Sequence, residues 1–267
     1  MLPATEPTSY PDVNRLLVLL LESVRGILGD KLVGFYLYGS LSLGDFDPDS
    51  SDVDFLFVTR ESLSDEMLAM LREMHRELAS SGLPYARKLE GSYIPLEALR
   101  RYDPENALHP TIGVDWDFGI GKHGSNWILE RAIVREQGVI VWGALPKTLI
   151  DPITPGDLRM AVCESLSFWQ AQLEGAAWLE PRDYQAFAIL TMCRALYTLR
   201  EGKVVSKPDA AAWALQTLDA KWLPLIEKAL LWRHEHARDD LTEMLEFLHF
   251  AVGRGLEWCE HGNKNGT

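Results

Sequence analysis

The chain has 267 residues, 47% hydrophobic and 24% charged, and its 26 Lys and Arg against 39 Asp and Glu give a formal charge of −13. This is the balance of a globular protein of one or two domains, long enough to bury a core without metal or disulfide staples. So acidic a chain is a poor nucleic-acid partner, because phosphate contacts need a basic face, and its longest apolar run, residues 16–21, is far shorter than the ~20 residues of a membrane span.

Residues 11–28 carry Leu16, Leu17, Leu20, Val24 and Leu28 at helical spacing, and Gly29-Asp30 ends the run, which predicts a helix. Residues 31–38 (KLVGFYLY) are β-branched and aromatic and predict a strand bounded by Gly39-Ser40. Residues 53–59 predict a second strand, apolar on both faces and therefore central in a sheet. Residues 64–80 return to helical spacing with Ser64 as N-cap. Residues 87–95, including Glu90, read as a third strand, and 100–126 as loop. A helix over 127–137 and a short strand over 139–142 follow. Asp151-Pro152 and Thr154-Pro155-Gly156 make a turn-rich junction. Beyond it lie helices over about 157–174, 182–201, 208–218 and 223–260, the last interrupted near 236–240. Only residues 203–205 suggest a later strand. This order predicts an α+β domain over 1–155, a mixed sheet flanked by helices, followed by an all-α bundle over 156–267. The polar tail, 262–267, reads as disordered.

Cys163, Cys193 and Cys259 lie far apart, are odd in number and lack CxxC spacing. That speaks against a disulfide framework or a cysteine zinc site and fits a reducing cytosol. The start of the chain lacks the basic and apolar regions of a signal peptide, so a cytoplasmic protein is expected. His109, His123, His234 and His236 show no paired ligand spacing, and no GxSxG, Walker A or GxGxxG string is present.

The chemistry concentrates in residues 38–54. Tyr38-Gly39-Ser40 closes the first strand, Gly44 permits a tight turn, and Ser51-Asp52-Val53-Asp54 opens the second. Gly39 has no Cβ and lets a phosphate approach the backbone, while Ser40 offers a hydroxyl and an N–H to a phosphate oxygen. Asp52 and Asp54 are two apart in extended chain, so their carboxylates share a face. Both stay ionised at neutral pH when a cation lies between them, and Mg2+, which takes oxygen ligands and substrate phosphates, suits that role.

This Gly-Ser…Asp-x-Asp string resembles the nucleotidyltransferase superfamily with the polymerase-β-like palm. A second block resembles the aminoglycoside O-adenylyltransferases that act on streptomycin and spectinomycin: residues 189–198 (ILTMCRALYT), then Gly202-Lys203, Ser206-Lys207 and residues 209–213 (DAAAW). The resemblance covers about residues 25–235. It implies AMP transfer from ATP to a drug hydroxyl, with Asp52 and Asp54 holding Mg2+ and with Gly39, Ser40 and Ser51 lining the triphosphate. Glu90 matches the family's third carboxylate, the general base. Arg194 and Lys207 match basic residues that reach the nucleotide phosphates from the helical domain. Arg194 lies in an otherwise apolar helix and needs an anionic partner, a phosphate or a structural acid. Lys207 follows Ser206 at a helix start, where N–H groups favour an anion.

On the acceptor side the resemblance is looser. Trp116, between Asp115 and Asp117, lies where the family places a drug-contacting Trp, and Glu180 and Asp183 lie near its drug-contacting acids, at different spacing. The expected partners are therefore ATP and a cationic small molecule, with no membrane; a monomer is expected and a dimer left open. Two rival readings keep the fold: transfer to a protein, a metabolite or tRNA, and a catalytically silent nucleotide-binding module.

Overall fold

The computed structural model describes residues 6–113, 116–232 and 240–262, apart from the side chains of 116, 174, 176, 177 and 262. The expected break near 236–240 and the polar tail lie largely outside these residues, as do His234, His236 and Asp115. The chain divides into two compact units, Met1–Pro152 and Ile153–Thr267.

In the first unit α1 (Pro11–Leu28) starts on a proline and buries Val13, Leu16, Leu17, Leu20, Leu21, Val24 and Leu28. That 3–4 spacing makes one apolar stripe. Gly29, at φ +52°, ends the helix and returns its N–H to Arg25 O. The chain continues through β1 (Leu32–Leu37), the one-turn α2 (Gly39–Leu43), β2 (Val53–Thr59), α3 (Asp65–Ser80), β3 (Leu89–Pro95), α4 (Leu96–Arg100), β4 (Leu108–Gly113), β5 (Trp116–Lys122), α5 (Asn126–Gln137), β6 (Val139–Gly143) and α6 (Pro146–Leu149). Ser64 caps α3 by accepting from the Met67 N–H.

The six strands form one sheet in the order β5-β4-β3-β2-β1-β6. β2 and β3 are parallel, and every other pair is antiparallel. Period-2 alternation sorts the side chains. Phe35, Phe55, Phe57, Tyr93 and Phe118 join the leucines of α1 and Leu71 of α3 in one core. Phe35 stacks on Phe57 at 4.1 Å, and His75 of α3 stacks on Phe118 at 5.5 Å. Asp54, Glu90 and Ser92 alternate to the opposite face.

The stretch expected to be loop, 100–126, instead holds the β4–β5 hairpin. Pro110, Gly119 and Gly121 weaken its strand signal. Pairing resolves both difficulties. Pro110 precedes the part of β4 bonded to β3, which begins at Thr111. A Cβ on Gly121 would overlap the Thr111 methyl across the hairpin.

The second unit holds α7 (Pro155–Gln172), α8 (Arg182–Glu201), α9 (Lys207–Thr217), α10 (Leu223–Trp232) and α11 (Thr242–Gly262). Thr154 and Asp157 cap α7 reciprocally, a capping box with Pro155 at the first helical position. Residues 203–205 are not a strand; they are irregular chain between Gly202, which ends α8, and Ser206, the N-cap of α9. No neighbouring strand is present among the described residues of this unit to complete a ladder there. The cysteines bring a second correction. Cys163 of α7 and Cys259 of α11 form a disulfide, with Cα atoms 5.9 Å apart across 96 residues of sequence. Linear spacing carries no trace of that encounter. Cys193 remains a buried thiol, its pKa pushed up to about 12 by burial.

Candidate active site

β1 delivers Tyr38 and Gly39 to the edge of β2, where the Tyr38 N–H donates to Asp54 O at 3.2 Å. Gly39 sits at φ +58°, and a Cβ there would overlap Asp54 Oδ2. Two requirements therefore fall on one residue: a left-handed backbone and room for a carboxylate. α2 turns immediately and closes on Gly44, at φ +80°, whose N–H donates to Ser40 O at 3.0 Å.

The acidic stretch that follows is pinned. Phe46 is buried, with its ring 4.6 Å from Tyr10 and 5.7 Å from Tyr85. The Asp47 N–H donates to Ser51 Oγ, the Ser51 N–H returns to Asp47 O, and Lys88 Nζ donates to Asp49 O. The loop thereby presents Ser51 and Asp52 directly before β2.

Asp54 is the second residue of β2 and stands in register with Glu90 on parallel β3. Both are half-buried, between the buried pairs Val53/Phe55 and Leu89/Gly91. Strand neighbours lie about 4.8 Å apart, so these two carboxylates stand side by side. The Tyr38 phenol reports their proximity. Its pKa lies well above the ordinary value, first through burial and then through the negative charge of Asp54, Glu130 and Glu90.

Glu130 was not expected from sequence. It lies on α5 three residues after Trp127, whose ring is 6.1 Å from that of Tyr38. Helical spacing puts 127 and 130 on one face. The only signal available was that periodicity, and it names no partner for the face.

The donor set suits a hard cation. Asp52, Asp54 and Glu90 offer only oxygen ligands, and the missing Cβ at Gly39 lets backbone and carboxylate approach. Among the described residues no three His, Cys, Asp or Glu side chains form a ready-made metal site. The aspartate pair therefore fits a cation that also takes ligands from a bound phosphate.

Behind this site lies a buried polar cluster that sequence spacing also missed. The hairpin brings His109 and His123 to a ring separation of 4.7 Å. His123 stacks on Trp127 at 3.6 Å and hydrogen-bonds Ser92 Oγ at 3.0 Å. Burial is the main cause holding the imidazolium pKa values down, to about 4 for His109 and about 2 for His123, with Arg131 adding to both. The buried Arg131 guanidinium donates to the carbonyls of Ala98 and Leu99 at the end of α4, a short cationic clamp.

The other expected residues lie in the second unit, except Trp116. Arg194 is half-buried on α8 among buried Met192, Cys193 and Leu196. Lys207 opens α9, and its ammonium lies 4.2 Å from the ring centre of Phe187. Phe187 and Arg194 are seven residues apart, two turns along one face of α8. Glu180 and Asp183 flank the start of α8; Glu180 O accepts from Gln185 Nε2, and Asp183 Oδ1 accepts from the Tyr184 N–H. Trp116 begins β5, paired with Gly113, and its side chain lies outside the described residues.

The sequence matches two family models: a nucleotidyltransferase domain over residues 20–107 and the C-terminal domain of aminoglycoside adenylyltransferases over residues 148–254. The chain carries both of these domains. It is a nucleotidyltransferase. Gly39, Ser40, Ser51, Asp52, Asp54 and Glu90 fall inside the first match, and Glu180, Asp183, Arg194 and Lys207 inside the second; Trp116 and Glu130 fall inside neither. Its relatives include an aminoglycoside (3'')(9) adenylyltransferase of Klebsiella pneumoniae, 26% identical over 85% of this chain and 88% of the relative. A spectinomycin 9-adenylyltransferase of Campylobacter jejuni is 27% identical over 76% and 78%. The fold matches that of a spectinomycin adenyltransferase from Enterococcus faecialis, crystallised with ATP and spectinomycin. The TM-score is 0.70 at 19% identity, over 90% of this chain and 98% of the other.

Proposed function

We propose that this protein transfers AMP from ATP to a hydroxyl of an aminocyclitol or aminoglycoside, of spectinomycin or streptomycin type, releasing pyrophosphate and so conferring resistance. The observation that carries the reading is the Asp54–Glu90 pair in register, closed over by the Gly39-Ser40 turn. Asp52 and Asp54 would hold Mg2+ together with the ATP phosphates, and the bound ion would neutralise charge on the α-phosphoryl group. Ser40, Ser51 and the Gly39 backbone would line the triphosphate, and Arg194 and Lys207 would bind phosphate oxygens. Glu90, half-buried beside Asp54, takes the proton of the acceptor hydroxyl as its oxygen attacks the α-phosphorus. The bond to pyrophosphate breaks in line with that attack. Trp116, Glu180 and Asp183 remain proposed acceptor contacts, and a monomer acting in the cytoplasm completes the proposal.

The test is direct. Protein is mixed with MgATP and spectinomycin or streptomycin, and pyrophosphate and the mass of the drug are followed. One adenylyl group added per drug molecule, with stoichiometric pyrophosphate and no product in EDTA, is expected. Absence of product with every aminoglycoside tested would reject the acceptor class.

A further inference from the structure

Ser92 follows Glu90 by two residues on β3, so its side chain leaves the sheet on the same face, about 6–7 Å further along the strand. There the buried Ser92 Oγ hydrogen-bonds His123 Nε2 at 3.0 Å. His123 is itself fixed at the end of the β4–β5 hairpin, where its N–H donates to Ala107 O at 2.7 Å. Its ring lies flat on Trp127 of α5, at 3.6 Å and 9°. Trp127 in turn leans on Tyr38, at 6.1 Å, and the Tyr38 N–H donates to Asp54 O. The path from Glu90 through Ser92, His123, Trp127 and Tyr38 to Asp54 is therefore continuous, and the in-register pair Asp54 and Glu90 closes it into a circuit.

We propose that His123 and Ser92 are positioning residues, whose hydrogen bond ties α5 to β3 and so sets the place of Glu90 against Asp54 and Tyr38 for the transfer. The inference rests on the reaction proposed above. Packing alone does not account for a histidine here. His123 Nδ1 and His109 Nε2 are both buried without a hydrogen-bond partner among the described residues, and an unpaired buried polar atom destabilises the fold. A phenylalanine would stack on Trp127 without that penalty. What it could not do is hold the Ser92 hydroxyl. The imidazole also stays neutral at working pH, because burial above all lowers its pKa to about 2. It therefore acts by contact and not by carrying a proton. Such contact matters to the rate, since misplacing a reacting group by about 1 Å can cost about 10²-fold.

The full chain carrying Ser92→Ala and His123→Phe together tests this. The pair of changes removes both halves of the hydrogen bond and keeps a ring on Trp127. Its melting temperature is expected to match or exceed that of the wild type, because replacing both partners by apolar groups is close to neutral. Over the same comparison kcat for AMP transfer should fall about 10-fold, while the KM values for ATP and acceptor stay within about twofold. Ser92→Thr, which keeps the hydroxyl, should recover most of the kcat that Ser92→Ala loses. Wild-type kcat in the double variant would overturn the proposal, and so would a kcat that falls only together with the melting temperature. If the double variant does not fold, Ser92→Ala alone carries the same comparisons. Hydrogen exchange reads the tie without turnover: residues 89–95 and 126–131 should exchange about 10-fold faster in the variant than in the wild type. Where the wild type modifies no aminoglycoside, exchange decides by itself. Unchanged exchange then overturns the tie, and faster exchange confined to these two segments leaves it standing while the proposed reaction falls.

Discussion

Gly39 carries more constraint than any other single position of the site. Its φ of +58° and the overlap of any Cβ with Asp54 Oδ2 mean that Gly39→Ala must shift either the turn or the carboxylate. We expect at least a 100-fold loss of kcat, measured as pyrophosphate release, with a fall in melting temperature of a few degrees. Glu90 makes the complementary case. Glu90→Gln keeps the shape and removes the base, so kcat should fall about 10²–10⁴-fold with little change in ATP affinity; a mere rise in ATP KM would assign Glu90 to nucleotide binding instead. The buried histidines couple residue chemistry to stability. Desolvation lowers His75 and His109 to about 4 and His123 to about 2, against an ordinary 6.5. Above pH 6.5 neither the folded nor the unfolded chain protonates them, and their packing is retained in full. Below it the unfolded chain binds protons that the folded chain refuses, so stability falls with pH at about 1.4 kcal/mol per unit for each histidine. The fall should continue until about pH 4, where His75 and His109 begin to protonate in the folded protein. Denaturant titrations at pH 7.5, 6 and 5 should show this slope, and His123→Asn should flatten it.

Elements behave as their links dictate. The disulfide ties α7 to α11 across 96 residues. Closing a loop near 100 residues removes about 4–5 kcal/mol of unfolded-state freedom in the chain-entropy view. Cys259→Ser, or reduction before a melt, should lower the unfolding temperature, and a thiol count of the denatured protein should find one free thiol before reduction and three after. α5 is tied to the end of α4 through Arg131, whose guanidinium stays charged at neutral pH although burial lowers its pKa to about 10. Arg131→Met would leave the Ala98 and Leu99 carbonyls without these donors, at a cost of about 1–3 kcal/mol for each carbonyl left unsatisfied. Because α5 also carries Trp127 and Glu130 towards Tyr38, that variant should lose activity at temperatures where it remains folded.

At the scale of the whole molecule the charge of −13 becomes a statement about kinetics. An acidic protein attracts a polycationic acceptor before contact, and salt screens the attraction over about 10 Å at 0.1 M. The acceptor kcat/KM should therefore fall between 50 and 300 mM salt more steeply than kcat does. Equal salt sensitivity of the two would remove long-range attraction from the account.

Much of this protein is written locally. The helix over 11–28, the strand over 53–59 and the helix over 182–201 follow from apolar periodicity and caps, because those signals depend on residues a few positions apart. The Gly39-Ser40 turn and the Asp52/Asp54 spacing are legible for the same reason. What depended on distant chain was not legible. The β4–β5 hairpin needs β3 beside it to offset Pro110 and two glycines, the Cys163–Cys259 bond needs α7 and α11 packed together, and the His109–His123 pair needs the hairpin first. Glu130 joins the carboxylates only because α5 packs Trp127 against Tyr38. The sequence alone determined the chemistry available, a glycine-serine turn followed by paired aspartates. Tertiary structure decided which other groups share that space, because burial and proximity arise from packing between elements that no short window of sequence contains.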